Sequence, residues 1–285
     1  MEKILLSEEG VFPVTKDENG EVLESLPNTG MSLAGTVQGE GMLAGVPSIF
    51  IRLAGCNLRC IWDKGDGEYS ICDTPHSVFG RVKTIPVFIE KLISILKFNL
   101  GNIGHVVITG GEPLLQAKPL TVLVKEIKRN FDVHLTIETN GTLFDRELAN
   151  EIDLFSISPK LAATDPLPDK IAAFGLKQTE VHRNHNSKRK NLAAIQSFID
   201  ISLKEGKDFQ LKFVVTKYAD ADEIKRDFLL KLKGWKNENV FIMPLGATKE
   251  ELKRFTPVAL EMAIANGWRF SPRMHIDLFN ENTGV

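Results

Sequence analysis

The three cysteines of this chain, Cys56, Cys60 and Cys72, all lie between residues 56 and 72, and none occurs elsewhere. Thiolates are metal ligands and nucleophiles, so their gathering in one stretch asks for a shared task rather than scattered core packing. An odd count argues against a disulfide framework. Two chemistries stay open at this point. Three thiolates on one loop can each bind an iron of a 4Fe–4S cube and leave the fourth iron vacant, because full ligation by protein takes four cysteines. Alternatively, Cys56, Cys60, Cys72 and His76 form a tetrahedral Cys₃His zinc site in a non-enzymatic regulatory protein.

Other residues stand out for their surroundings. Arg52 sits inside the apolar run SIFIRLAG. A charge there is costly unless paired, so it meets either a structural carboxylate or an anionic ligand. Gly110 and Gly111 follow the run HVVIT, where they serve a strand-end turn or let backbone approach a charged ligand. Asn140-Gly141 reads as a turn on its own. The run His182 to Lys190 is the one dense basic stretch and reads as a solvated loop leading into a helix, with a small acidic or phosphorylated partner as the alternative. Net charge is −2, which gives no electrostatic footprint for nucleic acid. No apolar run approaches the roughly 20 residues of a membrane helix, and the N-terminus lacks a secretory pattern, so the expected location is the cytoplasm.

Elements must hold these residues in place. Six short runs rich in Ile, Val and Phe read as strands buried on both faces: 48–53, 105–109, 133–138, 154–158, 210–215 and 240–243. Helical periodicity fills the gaps at 84–98, 116–129, 145–151, 189–204 and 221–232. Thr248 and Glu251 form a capping box, and Thr256-Pro257 reads as a helix restart that Gly267 ends. Alternation of this kind predicts an α/β fold with a parallel sheet, open and doubly wound or a partial barrel. Residues 1–30 are polar and turn-rich and read as an N-terminal extension with a short hairpin. Residues 31–285 form the main domain, whose end adds a strand and a tail.

The motifs together are similar to those of radical S-adenosylmethionine (SAM) enzymes, and within them resemble the 7-carboxy-7-deazaguanine synthases. The matching segments are Gln38-Gly39-Glu40-Gly41, Phe50 to Asn57 (FIRLAGCN), Cys72-Asp73-Thr74, Thr109 to Pro113 (TGGEP), Glu138 to Gly141 (ETNG), Ser158-Pro159-Lys160, Ser271 to His275 and Gly284-Val285. They follow family order across residues 31–285. One departure stands out. The family spacing C-x3-C-x2-C is here C-x3-C-x11-C, because Asp63 to Ile71 are inserted, and Ile71 rather than Trp62 precedes Cys72. The insert is polar and glycine-bearing, and loop closure costs little extra with length, so the thiols are expected to stay together.

The resemblance implies a partial (β/α)6 barrel of the radical SAM type. It implies Cys56, Cys60 and Cys72 as cluster ligands, with SAM bound by Asp73, Gly111, Glu112, Glu138, Ser158, Lys160, Met243 and Pro244. It implies substrate contacts from Val37, Gln38, Gly39, Arg52, Thr109 and Val285. Arg52 would grip the substrate carboxylate, Thr74 would bind Mg²⁺, and His275 would line the site. The implied reaction is radical ring contraction of 6-carboxy-5,6,7,8-tetrahydropterin to 7-carboxy-7-deazaguanine with loss of ammonia. Its cofactors are the 4Fe–4S cluster, SAM and Mg²⁺. Its partners are the carboxylated pterin and an external electron donor of flavodoxin or ferredoxin type, with homodimer assembly among the expectations and neither nucleic acid nor membrane. A different radical SAM activity on the same scaffold, an activase of a glycyl-radical enzyme or a peptide modifier, is the rival enzymatic reading.

Overall fold

The computed structural model describes residues 2–72, 74, 83–280, 282, 284 and 285. Asp73 and His76, both named above, lie outside the described residues. All six expected strands form: β3 (Pro47–Leu53), β7 (His105–Gly110), β8 (His134–Thr139), β9 (Leu154–Ile157), β10 (Asp208–Val215) and β11 (Val240–Pro244). They are parallel and lie side by side in the order in which the chain makes them. A doubly wound sheet reverses strand order at a switch point. No reversal occurs here, so the winding is that of a partial barrel. A short parallel strand, β12 (Arg269–Phe270), extends the far edge.

At the other edge the sheet continues past β3 with strands from elsewhere in the chain. β1 (Lys3–Phe12) pairs antiparallel with β3 and with β6 (Ile85–Phe88), while β2 (Thr36–Val37) pairs with the start of β3. β6 and β12 end the ten-stranded sheet without meeting, so the barrel stays open.

Period-two alternation explains how apolar runs can build a polar site. Ile51, Leu53, Ile108, Ile137, Ile157, Phe213 and Ile242 point into the core against the helices. Their neighbours Arg52, Thr109, Glu138, Ser156, Lys212 and Met243 point the other way and line the lumen. Arg52 is in register with Thr109, Glu138 with Ser156, and Val214 with Met243, which makes a belt near the carboxyl ends of the strands.

Four local readings change. Residues 85–88 are strand rather than the start of the helix, which runs Ile89–Asn99. Edge strands tolerate the missing donor of Pro86, and β1 supplies a partner that the local sequence does not show. The segment 221–232 is one α-turn, Asp220–Glu223, followed by a π-type segment, Ile224–Leu229. Helix Lys249–Asn266 runs straight through Pro257, so Thr256 is no cap; Thr248 starts the helix by accepting from Glu251 N–H. The basic run is not a solvated loop. Helix Glu180–Lys188 buries His182 and His185, and Arg189 is buried in ion pairs with Asp165 and Glu223.

Candidate active site

A cavity of about 310 Å³ opens at the carboxyl ends of the strands. All three cysteines line it, together with Val37, Gln38, Gly39, Arg52, Thr74, Thr109, Gly111, Glu138, Ser158, Lys160, Met243, His275 and Val285. Of the described candidates, only Glu112 and Pro244 are absent from its wall.

The cysteine wall is apolar. Leu58, Cys60, Trp62, Leu245 and Phe255 form a buried cluster against which Cys56, Cys72 and Val214 pack. The insertion before Cys72 folds as a hairpin of β4 (Ile61–Gly65) and β5 (Glu68–Ile71). Asp66 and Gly67 both have positive φ, 54° and 74°, as a tight primed turn requires. The ladder pairs Ile61 with Ile71, so Cys60 and Cys72 emerge side by side at its base. It also pairs Trp62 with Ser70, which returns Trp62 to the cavity wall beside Ile71. The inserted residues are thus zipped out of the way.

The sulfurs suit an iron cluster. Cys56 Sγ accepts from Leu58 N–H at 3.4 Å and from Asn140 Nδ2 at 3.9 Å, and Cys72 Sγ lies 3.3 Å from Thr74 Oγ1. Hydrogen bonds to sulfur are the means by which a protein tunes such a cluster. Burial, helped by the charges of Glu112 and Cys72, pushes the Cys56 thiol up to about 12. Only a bound cation would ionise it at neutral pH, and coordination does that outright.

The glycine motif has a structural explanation. Gly110 has φ +142°, and a side chain there would sit 2.1 Å from the Leu53 carbonyl oxygen. A methyl at Gly111 would lie 2.1 Å from the Gly55 oxygen and 2.9 Å from Cys56 Cβ. The two glycines let β7 close onto the cysteine loop. Glu112 is fully buried, and its carboxylate accepts from Leu114 N–H, Thr139 Oγ1 and Asn140 N–H. It knits TGGEP to ETNG rather than facing the cavity as the sequence suggested. Asn140 likewise donates to Asn57 Oδ1 at 2.9 Å and locks the cysteine loop to β8.

The opposite wall is charged. Glu138 accepts from Gln38 Nε2 at 3.2 Å and Thr109 Oγ1 at 2.8 Å. Arg52 pairs with Glu9 of β1 and lies over the Phe12 ring. Glu40 is bonded by Lys212 and by Arg273 Nε at 3.0 Å, with His275 at 3.9 Å. Burial works against ionising Glu40, but the charges of Lys212, Arg273 and His275 prevail and hold its carboxyl far below the ordinary range. Met274 N–H donates to Gly39 O, which seats the C-terminal segment on the QGEG turn. Sequence reasoning assigned no role to Glu9, Glu40, Lys212 or Arg273. Lys212 carried the same signal as Arg52, a cation inside an apolar strand. Glu9 carried none.

Residues 50–216 match the radical SAM superfamily. The 7-carboxy-7-deazaguanine synthase of Halobacterium salinarum is 33% identical over 251 residues, spanning 86% of this chain and 88% of the relative. That of Rhodopirellula baltica is 33% identical over 248 residues, 87% and 85% of the two chains. The crystal structure of QueE from Escherichia coli shares the fold with a TM-score of 0.59 at 23% identity, covering 93% of this chain and 95% of that one.

Proposed function

This chain belongs to the 7-carboxy-7-deazaguanine synthases of the radical SAM superfamily, and from that premise we propose that it is a lyase converting 6-carboxy-5,6,7,8-tetrahydropterin to 7-carboxy-7-deazaguanine with loss of ammonia, in 7-deazapurine biosynthesis of the queuosine type. The observation that carries this reading is the meeting of three thiols with a belt of polar lumen residues in one cavity. A 4Fe–4S cluster held by Cys56, Cys60 and Cys72, together with SAM, supplies hydrogen-abstracting radical chemistry when bound.

The chain's own residues bind, orient and exclude water. Ser158 and Lys160 line the cavity, and the Lys160 ammonium, bonded to Ser158 Oγ at 2.8 Å, suits the SAM carboxylate. Gly111 and Met243 also line the cavity. On the charged wall, Arg52 offers the bidentate geometry that a pterin carboxylate needs. Val37, Gln38, Gly39, Thr109, Glu138 and Val285 surround the bicyclic ring, and His275 closes the wall. Thr74, whose hydroxyl is a hard oxygen donor in the cavity wall, would be the residue to hold Mg²⁺ beside the substrate. An external one-electron donor is needed, and we assign it to the flavodoxin or ferredoxin class. No helix among the described residues is long and apolar enough to cross a membrane.

The test is anaerobic turnover of the carboxylated tetrahydropterin with SAM and a chemical reductant, with the product read by mass. Formation of the carboxylated deazaguanine is expected. SAM cleavage without any such product overturns the substrate assignment. In Thr74→Ala, the response to Mg²⁺ should vanish while SAM cleavage persists; an unchanged response removes Thr74 from the metal site.

A further inference from the structure

Cys60 is the middle ligand of the three, and its own side chain is buried. What fixes it comes from a distant part of the chain. Two buried side chains of the crossover between β9 and β10 grip the backbone on either side of it. On one side, Arg59 N–H donates to His185 Nδ1 at 3.1 Å. On the other, the Lys170 ammonium donates to the Ile61 carbonyl at 3.0 Å. His185 is wholly inaccessible and Lys170 is 4% exposed, so neither bond has water to replace it.

Both bonds continue into the crossover itself. Because His185 Nδ1 accepts, its proton sits on Nε2, which donates to Thr164 Oγ1 at 3.1 Å. The Thr164 hydroxyl then donates to Leu161 O at 2.7 Å, next to the Ser158-Pro159-Lys160 segment. Lys170 also donates to Ala163 O at 2.8 Å, and Arg189 Nη1 donates to Lys160 O at 2.9 Å. The cysteine loop and the segment bearing Lys160 are therefore tied to one hydrogen-bonded frame. Neither His185 nor Lys170 lines the cavity, so direct contact with substrate does not account for them.

We propose that His185 and Lys170 are positioning residues for the iron–sulfur cluster, clamping the backbone on both sides of Cys60 so that its sulfur stays in register with Cys56 and Cys72 across the hairpin insertion. The proposal rests on the cluster assignment above. Outer-shell partners of metal ligands typically govern metal affinity by about 10- to 100-fold.

The test uses the full chain reconstituted anaerobically with iron and sulfide. Three variants are compared with wild type: His185→Leu, which keeps bulk and loses both bonds; His185→Asn, whose amide oxygen can accept the Arg59 N–H; and Lys170→Met. Circular dichroism checks folding, iron release to a chelator gives cluster retention, and the electron paramagnetic resonance spectrum of the reduced cluster reports its surroundings. Expected are iron release about tenfold faster in His185→Leu and Lys170→Met, an altered reduced-cluster spectrum, and recovery of both in His185→Asn. Folded His185→Leu and Lys170→Met proteins with wild-type release and spectrum overturn the clamp. If His185→Leu does not fold, Lys170→Met against wild type decides. A wild-type chain that takes up no four-iron cluster instead overturns the cluster assignment, and the clamp with it.

Discussion

The two walls of the cavity are stabilised by opposite means. The cysteine wall is lined by apolar side chains: Leu58, Trp62, Leu245 and Phe255 pack about the thiols, and glycines let backbone press on backbone. The facing wall concentrates charge, with Glu40, Lys212, Arg273, Arg52 and Glu9 compensating one another. The contrast shows where each wall gets its order. The thiol side is shaped by apolar packing and by hydrogen bonds that reach the cysteine loop's backbone from His185 and Lys170. The other side is held by its own ion pairs.

Four experiments break or sharpen that contrast. The largest effect should come from Glu40→Gln, which leaves Lys212 and Arg273 buried without their counter-charge. Breaking a buried pair from one side costs about 3–5 kcal/mol, readable by urea unfolding. A loss under 1 kcal/mol would mean that this wall is not charge-locked.

Acid should act next, through two buried histidines. Burial, reinforced by nearby positive charge, lowers His185 to about 3, and burial with His134 lowers His105 to about 4. Both folded values lie below the ordinary 6.5 of an imidazole. Their stabilisation is therefore complete above pH 6.5 and drains away as pH falls toward 4 and 3. The loss should be on the order of 3 kcal/mol for each histidine over that window. Thermal unfolding of the apoprotein should track it, with a shallower slope in His185→Asn. A slope unchanged in that variant would remove His185 from the account.

Gly111→Ala comes third. Its methyl meets the Gly55 oxygen and Cys56 Cβ, so backbone must shift, at a cost of about 1–3 kcal/mol. Iron uptake should fall with it, whereas the charged wall should be untouched. Normal iron stoichiometry in this variant would show that the close approach is dispensable.

The smallest effect should be Arg254→Ala, which removes this side chain's contacts with Glu68, Asp66 and the Lys64 carbonyl of the hairpin. Exposed pairs of this kind contribute under about 1 kcal/mol. Iron content should match wild type, because the ladder rather than its surface contacts sets the distance between Cys60 and Cys72.

Much of the frame could be read from the chain alone, for local reasons. Strands such as HVVIT and QLKFVV announce themselves by composition, and the motifs sit at their ends. The readings that failed needed partners far away in sequence. Ile85 to Phe88 became strand because β1 lay waiting, some 80 residues earlier. The basic run was buried by Asp165 and Glu223. Pro257 was tolerated because packing carries helix Lys249–Asn266 through it. In the site, Arg52 and Lys212 were signalled by charge within apolar strands, although Lys212 was passed over. Glu9 and His185 offered no signal, since their meaning depends on which backbone or guanidinium they meet.

The hairpin separates two quantities that a loop normally links: how many residues are inserted, and how far apart its ends stand. Once Ile61 faces Ile71, material added beyond Gly65 lengthens a free arm without parting its roots. The turn at Asp66 and Gly67 is thus a place to graft a spectroscopic label or an affinity handle within sight of the metal, leaving the ligand spacing to the ladder beneath.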